Sequence, residues 1–202
     1  MSLSRFKLAE TDANRVRKLN EIVEQVNGSA TAGSGLVSSA VEVSETGAGA
    51  QKTVITLSGL SVTMTDAGAA GCHGSVKLYD FPACNLLFLG GTCSLTLTAG
   101  AGGISDTAAA VLSVGTATVG VDNATLTLTE ADLIPSAAAT LTAGVGTGAG
   151  KTVTAGVVVF DGTSTAKDAW LNIAVPDAGS TANDTFTVSG TITLVWSNLG
   201  DV

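Results

Sequence analysis

The sequence predicts an all-β protein: an antiparallel β-sandwich or jelly-roll-like body behind a short N-terminal helical arm. Three observations carry this. Asp184 to Trp196 reads DTFTVSGTITLVW, with Phe186, Val188, Ile192, Leu194 and Trp196 on even positions and Thr185, Thr187, Thr191 and Thr193 on odd ones. Side chains alternate faces along a strand, so this is a long strand with one apolar and one hydroxyl face. The texture recurs: 25 of the 28 threonines follow residue 50, and aromatics make up only 4% of a chain that is 45% hydrophobic. Such a core is built from Val, Leu, Ile and Ala under hydroxyl-lined surfaces. Finally, roughly nine to twelve short strands follow one another with turn signals between them, and no βαβ period is visible.

Residues 1–27 form the arm. Thr11 or Asp12 caps a helix over 11–27, and Gly28 stands where it stops. Val16, Leu19, Val23 and Val26 follow the spacing of an a/d seam, which Ile22 widens. The seam is too short for an isolated coiled coil. It either packs on its own body or acts as an arm that self-associates or docks on another protein. Residues 28–35, GSATAGSG, have the composition of a flexible linker.

The β-body spans 36–202. Val37, Val41 and Val43 mark a first strand. Lys52 to Thr65 is a long strand whose apolar phase changes from odd (Ile55, Leu57) to even (Leu60, Val62, Met64), so a bulge is expected at Ser58-Gly59. After a loop over 66–71, Val76 to Phe81 is a strand ended by Pro82. The apolar run Leu86 to Leu89 suits a strand buried on both faces or an interface. Cys93, Leu95 and Leu97 alternate with Thr and Ser. Ala108 to Val119 holds one or two short strands, and Asp122-Asn123 suits a turn. Leu126 and Leu128 alternate with Thr up to Glu130, Ala131 to Ile134 fits one helical turn, and Pro135 closes it. Ala137 to Ala143 is a weaker strand candidate. Thr152 to Phe160 and Trp170 to Val175 are strands, and Asp177 to Asn183 is a polar loop before the last one.

The net charge is −8. Residues 1–27 carry five bases (Arg5, Lys7, Arg15, Arg17, Lys18) and four acids; the remainder carries four bases and thirteen acids. An acidic body argues against a nucleic-acid partner. Its apolar runs are too short to span a bilayer, so no membrane is expected. The charged N-terminus lacks a leader-like apolar core, which predicts a protein made in the cytoplasm. Cys72, Cys84 and Cys93 lack CxxC spacing and are expected as small buried apolar residues.

Candidate chemistry is sparse. Gly144 to Thr152, GVGTGAGKT, looks like a phosphate-binding loop, but position 145 is Val where the motif needs Gly, and Val153 onward continues as strand. It is expected as a glycine loop between strands. His73, the single histidine, follows Cys72; adjacent strand residues point apart, so the two make no catalytic pair, and His73 is expected in a loop or an interface. Glu130 with Asp132, or Asp177 with Asp184, could offer oxygens to calcium, but neither forms a loop signature. A two-carboxylate glycosidase is disfavoured by the shortage of aromatics. Trp170 and Trp196 are expected as core anchors or subunit contacts. No catalytic residue, metal site or cofactor is expected, and the chain is not read as an enzyme.

Three stretches carry a resemblance: DGTSTAKDAWLNIAVPDAGSTANDTFTVSGTITLVWSNLGDV from Asp161, AGCHGSVKLYDFPACNLLFLGG from Ala70 to Gly91, and ATLTLTEADLIPSAAATLTAG from Ala124 to Gly144. They resemble a type of virion protein of tailed bacteriophages, many of them marine. The resemblance implies a capsid-associated structural protein, a head decoration or cement protein on the outer surface of the capsid, with the major capsid protein as partner. The layout of arm, linker and body then suggests protomers that assemble, most plausibly as trimers, while the arm hooks neighbouring capsid subunits. Arg5, Lys7, Arg15, Val16, Leu19, Ile22, Val23 and Val26 are its expected contact residues. The alternative is a receptor- or glycan-binding fibre or spike module that recognises its target with loops such as 177–183. A major capsid subunit is a third and less fitting reading.

Overall fold

The computed structural model describes residues 34–35, 38–47, 49–120, 125–152 and 158–200. The arm 1–27, most of the linker and the Asp122-Asn123 turn lie outside the described residues. Eleven strands are described: β1 (Ser34–Gly35), β2 (Val41–Thr46), β3 (Gln51–Asp66), β4 (Cys72–Asp80), β5 (Asn85–Ala99), β6 (Val111–Gly115), β7 (Ile134–Ala138), β8 (Val145–Lys151), β9 (Val158–Asp161), β10 (Asp168–Val175) and β11 (Asp184–Asn198). Three single 3-10 turns accompany them, and no α-helix occurs among the described residues. All pairings between the strands are antiparallel. The all-β antiparallel sandwich read from the sequence is the fold observed.

The strands hydrogen-bond in the order β7-β6-β10-β4-β3-β11-β5-β8, with β1 on β4, β2 on β3 and β9 on β5. This ribbon folds over into two layers. One holds β7, β6, β10, β4 and β1; the other holds β2, β3, β11, β5, β8 and β9. The corner lies at the end of β3, where Thr65 and Asp66 leave β11 and pair with His73 and Cys72 of β4. Between the layers sits a single large apolar core, with Ile55, Leu57, Val62, Met64, Leu78, Phe88, Leu97, Leu112, Leu171, Phe186, Ile192 and Trp196 fully buried.

The long strands follow the alternation of their sequences. Inward residues of β3 switch from odd to even at Gly59, which adopts φ +77° and is the extra residue opposite the Val188–Ser189 step of β11. The expected bulge is there, and the Gly59 amide donates to the Ser189 hydroxyl at 2.9 Å. Cys72, Cys84 and Cys93 are all buried.

Elsewhere the structure corrects the sequence. Gly144 to Thr152 is not a loop. Val145–Lys151 is strand β8, with Gly146, Gly148 and Gly150 facing inward opposite Leu97, Leu95 and Cys93. A Cβ on Gly146 would lie 2.4 Å from the Ala139 carbonyl oxygen, and one on Gly148 2.6 Å from Leu112 Cδ2. The glycines let β8 close against the segment that follows β7, where any side chain would hold the layers apart. The run Leu86 to Leu89 is not buried on both faces: Leu86 and Phe88 face inward, whereas Leu87 is half-buried and Leu89 exposed. The helical turn expected at 131–134 falls at Leu128–Glu130, where a strand end was expected. There Thr127 and Glu130 make a reciprocal capping box, which ends strand geometry. Pro135 lies inside β7, an end strand that tolerates the missing donor. Ala108 to Val119 supplies one strand, β6, and the candidate at 137–143 ends at Ala138.

Candidate functional site

The two outer faces of the sandwich differ. The β4–β10–β6 layer is partly roofed by Thr116–Gly120 and Thr125–Leu133, which together we call the strap. Outward-facing Ala174 packs with Val119 and Leu126 of the strap in a second small core, flanked by Val111 and Ala131. Beneath it Asn172, fully buried, donates to the carbonyls of Ala117 (2.9 Å) and Glu130 (2.8 Å), and accepts from the Ser75 hydroxyl (2.6 Å) and the Val119 amide (3.2 Å). The Ser113 hydroxyl also donates to the Glu130 carbonyl at 2.6 Å.

Carboxylates fasten the strap ends. Asp132 accepts from the Thr116 amide at 2.8 Å and its hydroxyl at 2.6 Å. Burial pushes the Asp132 carboxyl above its ordinary range, opposed by these two hydrogen bonds. Glu130 accepts from the amides of Gly120 (2.7 Å) and Thr127 (3.2 Å). Asp184 accepts from the amides of Ile104 (3.0 Å) and Thr185 (2.7 Å). Three of the four acids weighed as calcium ligands, Glu130, Asp132 and Asp184, thus satisfy backbone donors. No group of three or more His, Cys, Asp or Glu able to hold a metal occurs among the described residues.

The outer face of the β3–β11–β5–β8 layer carries no strap among the described residues. The registers bring hydroxyls into rows across it: Ser61, Thr187 and Thr98; Ser58, Ser189, Thr96 and Thr147; Thr56, Thr191 and Ser94. Towards one end the same face becomes apolar, with Leu87 opposite Val159 and the bulged Leu89 beside them. Val159 is 56% exposed and Leu89 38%. Lys52, Lys151, Glu42 and Asp161 stand at strand ends or on the edge strand β2, so the centre of the face is free of charge.

Trp196 is a core anchor, as expected. Its ring packs edge-on to Phe81 at 5.4 Å, and Phe81 in turn to Tyr79 at 5.1 Å. Its indole N–H donates to Thr53 Oγ1 at 2.9 Å; that hydroxyl donates to Glu45 at 2.9 Å, and Tyr79 donates to the same carboxylate. This chain ties β2 to the core. Trp170 differs: it is half-buried and faces outward on β10.

His73 is not in a loop but half-buried on β4, beside buried Cys72 and pointing to the opposite face, as their adjacency requires. The Cys72 thiol is pushed up to about 11, chiefly by burial and then by Asp66 and Asp184, which leaves it unreactive near neutrality. Arg5, Lys7, Arg15, Val16, Leu19, Ile22, Val23 and Val26 lie outside the described residues. Sequence reasoning missed the contrast between covered and open faces. Its signal was there in the odd-numbered threonines of β11 and in the apolar Val119, Leu126 and Ala131 outside any strand.

No protein-family model matches the chain, and no curated protein matches it. Among solved structures it is similar to TmCBM27, a carbohydrate-binding module studied for specific mannan recognition, at 10% identity over 84% of this chain and 90% of that one, with a TM-score of 0.27. An overlap of that size carries nothing about ligand or partner. No helix among the described residues is long and apolar enough to cross a membrane.

Proposed function

We propose that the chain is a non-enzymatic virion structural protein, a decoration or cement protein on the outer surface of a bacteriophage head. In this reading the open outer face of β3, β11, β5 and β8 rests on the shell or on neighbouring copies, and the arm, residues 1–27, reaches across adjoining major capsid subunits. The observation that carries it is that face: broad, hydroxyl-lined, free of charge at its centre and without a strap among the described residues. Depletion of charge at the centre of a contact patch marks protein interfaces. A strand rise of about 3.4 Å and a spacing of about 4.8 Å give this face an extent on the order of 800 Å². A stable protein contact buries about that much per partner. The resemblance of the three quoted stretches to tailed-phage virion proteins supports the same assignment, and a homotrimer over local threefold positions is the assembly it implies.

The test is co-sedimentation of the full chain with undecorated phage shells. Thr191→Glu and Thr98→Glu, both at exposed positions of the face, are the probes. The wild type is expected to pellet with shells, and the double variant to stay in the supernatant with an unchanged urea midpoint. Equal binding by the folded variant would remove this face from the contact. Wild-type protein that ignores shells would remove the decoration role.

A further inference from the structure

The geometry points to a docking surface for the chain's own N-terminal arm: the apolar end of the open face, where the Val16–Val26 seam lies across β9, β5, β11 and β3 of the same free molecule. Outward side chains there are apolar instead of hydroxyl. Leu87 stands opposite Val159 of β9 on one side and Ser197 of β11 on the other. Val195 stands opposite Gly90, with the bulged Leu89 beside it, and Val54 of β3 opposite Thr193. Leu199 follows β11, its amide donating to the Asn85 carbonyl at 2.9 Å. Val159 is 56% exposed, Leu199 45% and Leu89 38%. Contiguous apolar surface of this kind marks an interaction site.

The course of the chain says what covers it. β1 brings Ser34 opposite Asp80, at the end of β4 that leads through residues 81–84 into Asn85 of β5. Asn85 pairs with Asp161 of β9, and the Leu87–Val159 pair lies two steps further on. The chain therefore enters the body at the same end of the sandwich as the patch. A Cβ on Gly35 would lie 2.3 Å from Val43 Cγ2, so β1 abuts β2, and β2 pairs with β3. Two strand spacings, about 10 Å, separate β1 from the near edge of the patch on β3. Residues 28–33 can span about 20 Å.

Arm and patch also match in size and need. The seam from Val16 to Val26 is about 15 Å long as a helix. From β9 to β3 the patch is about 14 Å wide. A helix over 11–27 is too short to be stable alone, so its apolar stripe requires a surface. The patch, on the order of 300 Å² from strand spacing and rise, is small for an untethered protein. A stable contact buries about 800 Å² per partner. A tethered segment needs less, because a short flexible linker holds it at an effective concentration on the order of millimolar. Docked, the arm shields two apolar surfaces that would otherwise draw free copies together. On the decoration reading, a copy seated on a shell exchanges this contact for one with its neighbours, but the docking in the free protein does not depend on that reading.

Amide hydrogen exchange of the full chain, read by mass spectrometry on peptides from 11–27, tests this. The wild type is expected to protect these amides. Leu89→Ser combined with Val159→Ser should cut that protection about tenfold, with β11 protection and the urea midpoint unchanged. Leu128→Ser, which removes an 87% exposed leucine from the opposite layer, should leave it intact. Three results would overturn the proposal: unprotected 11–27 amides in the wild type, full protection in the folded double variant, or protection that grows with protein concentration, which would place the arm on another copy. Shell co-sedimentation reads the hydroxyl rows with different variants, so the docking and the shell-contact reading fail separately.

Discussion

Gly146→Ala asks whether the glycines of β8 close the sandwich. The new methyl carbon would lie 2.4 Å from the Ala139 carbonyl oxygen and 2.9 Å from Leu141 Cδ2. The leucine tip can turn away, but the oxygen cannot. The backbone after β7 is held there by the Ala139 amide donating to the Ala110 carbonyl at 2.8 Å and the Leu141 amide to the Ala108 carbonyl at 2.9 Å. Overpacking of this kind costs about 1–3 kcal/mol. The lost glycine freedom of the unfolded chain returns about 0.4–1 kcal/mol. Because the obstacle is backbone, the net loss should fall near the upper end, about 2 kcal/mol, or roughly 4–8 °C in Tm for a chain of this size. Gly49→Ala is the matched control, since its methyl would meet nothing within 4 Å. It should be neutral or slightly stabilising. Urea unfolding followed by Trp196 emission measures both. A Gly146→Ala midpoint equal to that of Gly49→Ala would refute the close approach of β8 to the 139–141 segment.

Two further predictions concern the strap. Asn172→Ala removes a fully buried amide, strands the Ala117 carbonyl and leaves the Glu130 carbonyl with the Ser113 hydroxyl alone; a loss of about 2–4 kcal/mol is expected. Hydrogen exchange should accelerate at the Val119 amide while β11 stays protected, and uniform acceleration across both would show that Asn172 does not act through the strap. Asp132 has a native pKa raised by burial. Its native state therefore holds the proton more tightly than the unfolded chain, so its contribution to stability is fully present below the unfolded pKa and is lost as pH rises through the native one. Asp132→Asn does not titrate. Its stability relative to wild type should rise with pH across the carboxylate range, and a constant or opposite difference in urea midpoints would contradict this.

The long strands were legible because their alternation is uninterrupted. Phe186 to Trp196 and Leu60 to Met64 state their inward faces residue by residue, and Gly59 announces the change of phase between Leu57 and Leu60. Elements whose identity depends on what packs against them were not legible. Gly146, Gly148 and Gly150 carry the period of a strand, but glycine reads as a turn signal when the neighbour it admits is unknown. Leu128 resembles an alternating strand residue beside Leu126, yet only Leu126 is buried; Leu128 has φ +51° and is 87% exposed. What decides between them is the Thr127–Glu130 capping box and the outward Ala174, more than forty residues away in sequence. Of the proposed contacts, the hydroxyl face was implicit in the period-two threonines. Its apolar end was not, because Leu87 and Val159 meet only through the register of β5 with β9.

The strap also accounts for why the two layers lend themselves to different partners. An outward row of Ala174, Asn172 and Val111 is poorly suited to water or to a foreign surface, and this chain supplies its own cover for it. Covering it fixes the buried amide of Asn172. On the other layer, threonine needs no cover: its methyl packs on the pleat and its hydroxyl stays hydrated. Such a face is stable alone in water, yet it holds no charge whose desolvation would oppose burial against a partner. The open hydroxyl face on one side and the covered one on the other thus follow from one asymmetry, the packing of residues 116–120 and 125–133 over a single face of the sandwich.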